Sequence, residues 1–405
     1  MLLLLRRWPL LAPGLVMLAL FGYAVAPGLS GTSDSVHYLW AAHTLRTMRQ
    51  LLSPDGTPYR FWGPLYPTLL AGFHGPAGVR LLHGGALLAQ LGLWYWLGRW
   101  LLTPGRALAL AWLVALSTAV LVPAKFIWSE PVFGALTAAY ICTLLAWGRT
   151  GRPGWLVLAT VAGFLVPLQR TSGFFLLAGA GVGLLLAGQW RNWRLLVPHW
   201  LGCAAGGLAW NYYAELVAGP PVYQAVLGWA VLGQSIADYG FILTRWFVPL
   251  GASWVKPLAL VWALVLPLLF WLLWPRGNSQ PWRNRPAAQS EKFTSRQSLR
   301  LLWCIALVNI LALLVAVNAS RAAAGPHDAE RYCAILVGPV VILALARWPV
   351  GAAGAWPLAE GQWRWAGRLL LAGWLAYSAV RVGHNMHALR QGTPMEWPAA
   401  TASQP

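Results

Sequence analysis

The sequence predicts an all-α polytopic membrane protein, a bundle of about 11 transmembrane helices with juxtamembrane helices on its outer face. Three observations predict the membrane-spanning helices. Of the 405 residues, 58% are hydrophobic and only 10% are charged, whereas soluble domains carry about 25% charged residues. The mean hydropathy is +0.57. Apolar runs of about 20 residues, the length that crosses a bilayer as a helix, recur along the chain. The 28 Trp and 29 Pro suit this class. Trp collects at membrane interfaces, and Pro is tolerated where neighbouring helices re-satisfy the backbone.

The expected spans are roughly 8–27, 79–102, 106–123, 129–148, 154–168, 173–188, 195–213, 255–274, 300–318, 333–347 and 366–382. Residues 1–27 read as a retained first span, because the apolar stretch after Arg6 and Arg7 is long and rich in large residues. Segment 64–74 is apolar but too short to cross, so it is expected as a helix lying at the outer surface. One transmembrane domain then covers 1–382. Its long connections are a first outer loop at 28–78, a second at 214–254 that holds interfacial helices, and a flexible cytoplasmic loop at 275–299. The tail 383–405 is expected to be loose.

Charge sets the orientation. With the N-terminus in the cytoplasm, seventeen of the 29 Lys and Arg fall in inside loops with only two acids, Glu291 and Glu360. The positive-inside rule supports that topology in an inner or plasma membrane. The remaining eight acids lie outside, so carboxylate chemistry is expected on the periplasmic or extracellular face. The net charge of +19 does not indicate nucleic acid, because the basic residues are scattered over short loops. Cys142, Cys203, Cys304 and Cys333 lack metal or disulfide spacing. No HxxH or HExxH pair appears, so no metal is expected. No phosphate-binding glycine loop is present either, so a nucleotide-driven reaction and its cofactor are not expected.

Several residues carry two readings. Asp34 either caps the helix that follows it or acts as a general base, which must be ionised and within reach of a hydroxyl. Glu130, beside Pro131, is a first-turn acid or a second carboxylate facing Asp34. Lys125 neutralises a phosphate or marks the interface. Arg170, in the short turn between two spans, snorkels to headgroups or points inward to hold an anion. Arg331 pairs with Glu330 or clamps a phosphate. His37 and His43 do not share a helix face.

Four segments resemble a known family. They are Ser33-Asp34-Ser35-Val36-His37-Tyr38, Gly63-Pro64-Leu65-Tyr66-Pro67, Trp128-Ser129-Glu130-Pro131 and Arg331-Tyr332 with Pro339 after it. Their order and shared membrane face resemble the GT-C membrane glycosyltransferases that use polyprenyl-phosphate sugars. The nearest in style are glycosyltransferase family 39, protein O-mannosyltransferases and aminoarabinose transferases. The resemblance spans roughly residues 8–350. It implies an inverting, metal-independent transfer from a polyprenyl-phosphate-linked sugar to a glycan, lipid or protein acceptor. Asp34 would then be the base. Glu130, His37 and Tyr66 would attend the acceptor. Arg170, Arg331, Lys125 and Tyr332 would hold the lipid phosphate. Many relatives carry a second acid where this chain has Ser35. The chain also lacks a large soluble outer domain, which disfavours a bulky protein acceptor. A lipid-linked-glycan ligase or polymerase is a second reading, and a transporter or flippase a third. The ligase reading expects a basic outer loop, and the transporter reading expects ionisable residues at mid-membrane.

Overall fold

A computed structural model describes residues 8–60, 62–218, 229–255, 257–275, 293–319, 326–348 and 360–395. Among these residues the fold is helical, with only two isolated β-bridges and no strand. The chain runs through α1 (Leu11–Val25), α2 (Ser33–Met48), α3 (Leu65–Gly72), α4 (Gly75–Leu101), α5 (Pro104–Ala115), α6 (Thr118–Lys125), α7 (Glu130–Thr150) and α8 (Pro153–Gln169). It continues through α9 (Gly173–Leu186), α10 (Trp193–Ala218), α11 (Trp229–Arg245), α12 (Ala259–Leu273), α13 (Ser295–Ala319), α14 (Pro326–Cys333), α15 (Val337–Arg347) and α16 (Glu360–Gln391).

Local chemistry sets the boundaries. Pro lies in the first two positions of α4, α5, α7 and α8, where no intrahelical N–H bond is lost. Gly151 ends α7 in the left-handed region with φ 66°, its N–H on the Trp147 carbonyl, a conformation that costs a glycine least. Helices α5 and α6 break at Leu116–Ser117 yet together make one apolar segment, Pro104–Lys125.

Each expected span coincides with a helix or a broken pair of helices. By length and composition, four segments can cross a membrane: Pro104–Lys125, Glu130–Thr150, Ser295–Ala316 and Asp328–Arg347. The pair Gly173–Leu186 and Gln189–Val217, bent by 112°, makes a fifth if it is one span. Leu260, Leu264, Leu369 and Val380 are exposed. Exposed apolar side chains on this scale suit a lipid environment. Between helices the contacts are close. A Cβ on Gly179 of α9 would stand 2.8 Å from the Ile305 backbone of α13, the small-residue packing that lets helices approach in lipid.

Two expectations about connections are corrected. The tail is not loose over 383–395: α16 runs to Gln391, and the Met395 N–H donates to the Leu29 carbonyl at 2.8 Å. Residues 396–405 lie outside the described residues. In the long connection 214–254, residues 219–228 lie outside the described residues, and α11 buries Tyr239, Phe241, Ile242 and Leu243 completely. Its wide apolar face packs on α12. The flexible loop 275–299 ends early: Phe293 is buried beside Trp147 and α13 has begun by Ser295. Residues 276–292 lie outside the described residues.

Candidate functional site

The connection between α1 and α2 is tied down before it reaches Asp34. Ser30 and Phe126 form a parallel bridge, with the Ser30 N–H on the Lys125 carbonyl and the Ile127 N–H on the Ser30 carbonyl, each at 3.0 Å. The Lys125 ammonium is wholly buried. It donates to the carbonyls of Gly28 at 2.6 Å and Ala24 at 3.0 Å. Lys125 is thus a clamp on the end of α1, and its charge faces the main chain rather than the carboxylate cluster.

Asp34 does not cap α2. Thr32 is the N-cap, and its backbone N–H donates to Ser35 Oγ at 3.0 Å in a capping box. Ser35 also donates to the Ile127 carbonyl at 3.1 Å. Ser35 therefore holds the helix start in place. Asp34 is left one position inside the first turn, where the helix dipole favours its charge.

Four charged side chains from four separate places in the chain meet here. Arg331, on α14, donates through Nη2 to Asp34 Oδ2 at 2.9 Å and through Nε to Glu130 Oε1. Arg170, between α8 and α9, donates through Nη1 to the same Glu130 oxygen at 2.7 Å and to Ser129 Oγ at 3.0 Å. Arg331 is not paired with Glu330, which takes Arg381 instead at 2.5 Å. Two guanidiniums and two carboxylates leave the cluster formally neutral. Burial separates the acids: the Glu130 side chain is 4% exposed and that of Asp34 20% exposed. Of the two acids, Asp34 is the more open to a molecule arriving from outside the bundle.

Aromatic and polar neighbours hold the cluster. The Arg331 guanidinium lies 3.9 Å above the Trp128 ring, whose Nε1 donates to Thr32 Oγ1 at 2.8 Å. Tyr332 flanks Arg170, with 5.9 Å between its ring centre and the guanidinium. Gln169 donates to the Ser129 carbonyl at 3.0 Å. Tyr38 is buried, with its hydroxyl 3.5 Å from Ser129 Oγ. Burial pushes its phenol above the ordinary value, a rise that the Arg170 charge partly offsets.

Tyr66 and His37 stand one layer back. Tyr66 is buried edge-on to Tyr38, and its hydroxyl pairs with His83 Nε2 at 2.7 Å. His83 Nδ1 faces the Ala124 carbonyl at 3.0 Å, which fixes Nδ1 as the donor and Nε2 as the acceptor. This chain of bonds fastens α3 to α4 and α6. His37 Nδ1 bonds the Ser33 carbonyl at 2.9 Å, and its ring lies 5.0 Å from that of Trp62.

The structure thus unites Asp34, Glu130, Arg170 and Arg331, places Tyr332 beside them, sets Tyr66 and His37 behind and turns Lys125 away. Sequence reasoning assigned no role to Trp128, Ser129 or Asn309. The first two lay inside a quoted motif, and the third is an amide in the middle of an apolar span. Among the described residues no three His, Cys, Asp or Glu side chains gather as a metal site would require.

At the level of fold, the helical bundle is similar to known structures. Two solved structures of ArnT from Cupriavidus metallidurans have this fold. One is in the apo state (TM-score 0.56, 16% identity, covering 94% of this chain and 74% of that one). The other is bound to undecaprenyl phosphate (TM-score 0.53, 17% identity, covering 94% of this chain and 75% of that one). No protein-family model matches the chain, and no curated protein matches it in sequence.

Proposed function

We propose that this protein is an integral-membrane glycosyltransferase that moves a sugar from a polyprenyl-phosphate donor to an acceptor hydroxyl. The observation that carries the reading is the convergence of Asp34, Glu130, Arg170 and Arg331 at one point of the bundle. Such a cluster supplies a base and an anion site together. Asp34 takes the acceptor proton as the hydroxyl attacks the anomeric carbon, and the bond to the lipid phosphate breaks with inversion. Arg331 and Arg170 turn from their carboxylates to the departing phosphate, whose charge they stabilise without an added acid. Glu130 keeps both guanidiniums aimed at the site until the donor arrives. The ArnT fold, and the undecaprenyl phosphate bound in one of those structures, support a lipid-linked donor.

The topology follows the charge pattern: about 11 crossings, a cytoplasmic N-terminus and the site on the periplasmic or extracellular face. The donor class suits that side, since nucleotide sugars stay in the cytoplasm whereas a lipid-linked sugar can be flipped.

The test is transfer of labelled sugar from a panel of polyprenyl-phosphate donors in proteoliposomes, with wild type beside Asp34→Asn. Loss of a positioned general base costs about 10²–10⁴-fold in rate. Transfer by wild type and a loss of that size in a folded Asp34→Asn protein are expected. Equal rates would remove Asp34 from the chemistry. Absence of transfer from every donor would overturn the donor class.

A further inference from the structure

Beneath the ion pairs lies a small cavity, about the size of one water molecule. Its polar lining is Glu130, Arg170, Ser172, Asn309, Arg331 and Tyr332. Asn309 sits on α13, ten residues before the helix ends at Ala319, inside one of the four segments able to cross a membrane. It is fully buried, and neither its Nδ2 nor its Oδ1 has a hydrogen-bond partner in the protein. Glu130 also lines the cavity, and its Oε2 is buried and unpartnered, while Oε1 takes both arginines. Burying such groups unpaired is costly, and polar residues inside a membrane are retained for what they bind.

We propose that this cavity seats one hydroxyl of the transferred sugar, and that Asn309 makes the enzyme selective for a neutral sugar bearing that hydroxyl. The inference rests on the glycosyltransferase reading above and names its donor sugar more closely. A hydroxyl donates once and accepts twice. It can therefore accept from Asn309 Nδ2 and donate to one of the two unpartnered acceptors, Asn309 Oδ1 or Glu130 Oε2. A phosphate is too large for the cavity. An ammonium group would meet two guanidiniums, and the Glu130 charge is already matched by them. A site built to bond a hydroxyl discriminates strongly against the analogue lacking it, because its own polar atoms are then left unpaired.

The experiment is equilibrium binding to the full chain in nanodiscs. The probes are undecaprenyl phosphate, its glucosyl and mannosyl forms, each monodeoxy counterpart and an amino-sugar form. The proteins are wild type, Asn309→Leu and the smaller change Asn309→Ala. One hexosyl lipid should lose about tenfold in affinity on deletion of a single hydroxyl, the worth of one hydrogen bond. Both variants should lose the same factor for the intact sugar and nothing further for that deoxy form, and the amino sugar should bind less well than the hexose. Bare undecaprenyl phosphate should bind all three proteins equally, which also establishes that the variants are folded. Intact-sugar binding by Asn309→Leu at the wild-type level overturns the proposal. So does wild-type binding that no single deletion weakens, in which case the cavity holds only water. Failure of wild type to bind undecaprenyl phosphate in any form would instead overturn the donor reading, and this inference with it.

Discussion

Arg331 donates to Asp34 at 2.9 Å across 297 positions of sequence. The same guanidinium also holds Glu130, so one side chain joins the start of α2, the start of α7 and the late helix α14. Replacement by Met would leave the buried Glu130 with Arg170 alone. Breaking a buried pair costs about 3–5 kcal/mol, and the surviving arginine points to the lower end. Thermal unfolding in detergent should show that loss. Arg331→Lys should unfold less readily than Arg331→Met yet fail to restore transfer, because one ammonium cannot reproduce a fork that meets two carboxylates.

Ser35 joins the helix cap to the Ile127 carbonyl. Ser35→Ala removes both bonds and should cost about 1–2 kcal/mol. Because α2 then swings at its first turn, the rate of sugar transfer should fall more than the affinity for the donor. Separate kcat and KM measurements check this.

Lys125 distinguishes a clamp from a phosphate ligand. Lys125→Met strips two buried carbonyls of their donor and should lower stability by about 2 kcal/mol or more. Donor affinity, read by binding of undecaprenyl phosphate, should hold at the wild-type level.

Gly31 lies under Met395. A Cβ there would stand 2.1 Å from the Met395 sulfur, and one on Gly28, whose φ is +142°, would meet Pro394 at 2.5 Å. The C-terminal segment thus rests directly on the loop that precedes Asp34. Gly31→Ala should displace Met395, a flexible side chain, and quicken hydrogen exchange at the Met395 N–H. Gly28→Ala should be the more damaging change, since backbone strain adds to the contact.

Tyr38 is held protonated by its burial, so its folded-state pKa lies above its ordinary value. The stability it lends is whole below about pH 10 and is lost as pH climbs from there toward the raised value. In an alkaline titration of the folded protein, wild type and Tyr38→Phe should show the same tyrosinate absorbance near pH 10. An extra tyrosine titrating in the wild type at that pH would show the phenol to be open to solvent.

The helical class and the positions of the helices were legible, and Asp34, Glu130, Arg170 and Arg331 stood out as candidates, because apolar length and isolated charges are local signals. A carboxylate or guanidinium beside a long apolar run stands out wherever it lies. The reading of Lys125 failed for a related reason: its charge was visible, but the carbonyls it binds were not, since main-chain acceptors leave no mark in a sequence. Glu330 shows the same limit, for the acid adjacent to Arg331 takes Arg381 instead. The tail was misjudged because the partner of its Met395 N–H, the Leu29 carbonyl, lies near the other end of the chain.

The sequence by itself determined a membrane bundle, its helix positions and the acid that follows its first helix, since each depends on hydrocarbon length or on neighbours a few residues apart. The tertiary structure alone decided which charges meet. Asp34, Glu130, Arg170 and Arg331 come from four distant segments, and only helix packing brings them within hydrogen-bond range. It also decided that Asn309 faces a polar cavity rather than lipid. That choice depends on the rotation of α13 against its neighbours, and no local pattern of residues encodes it.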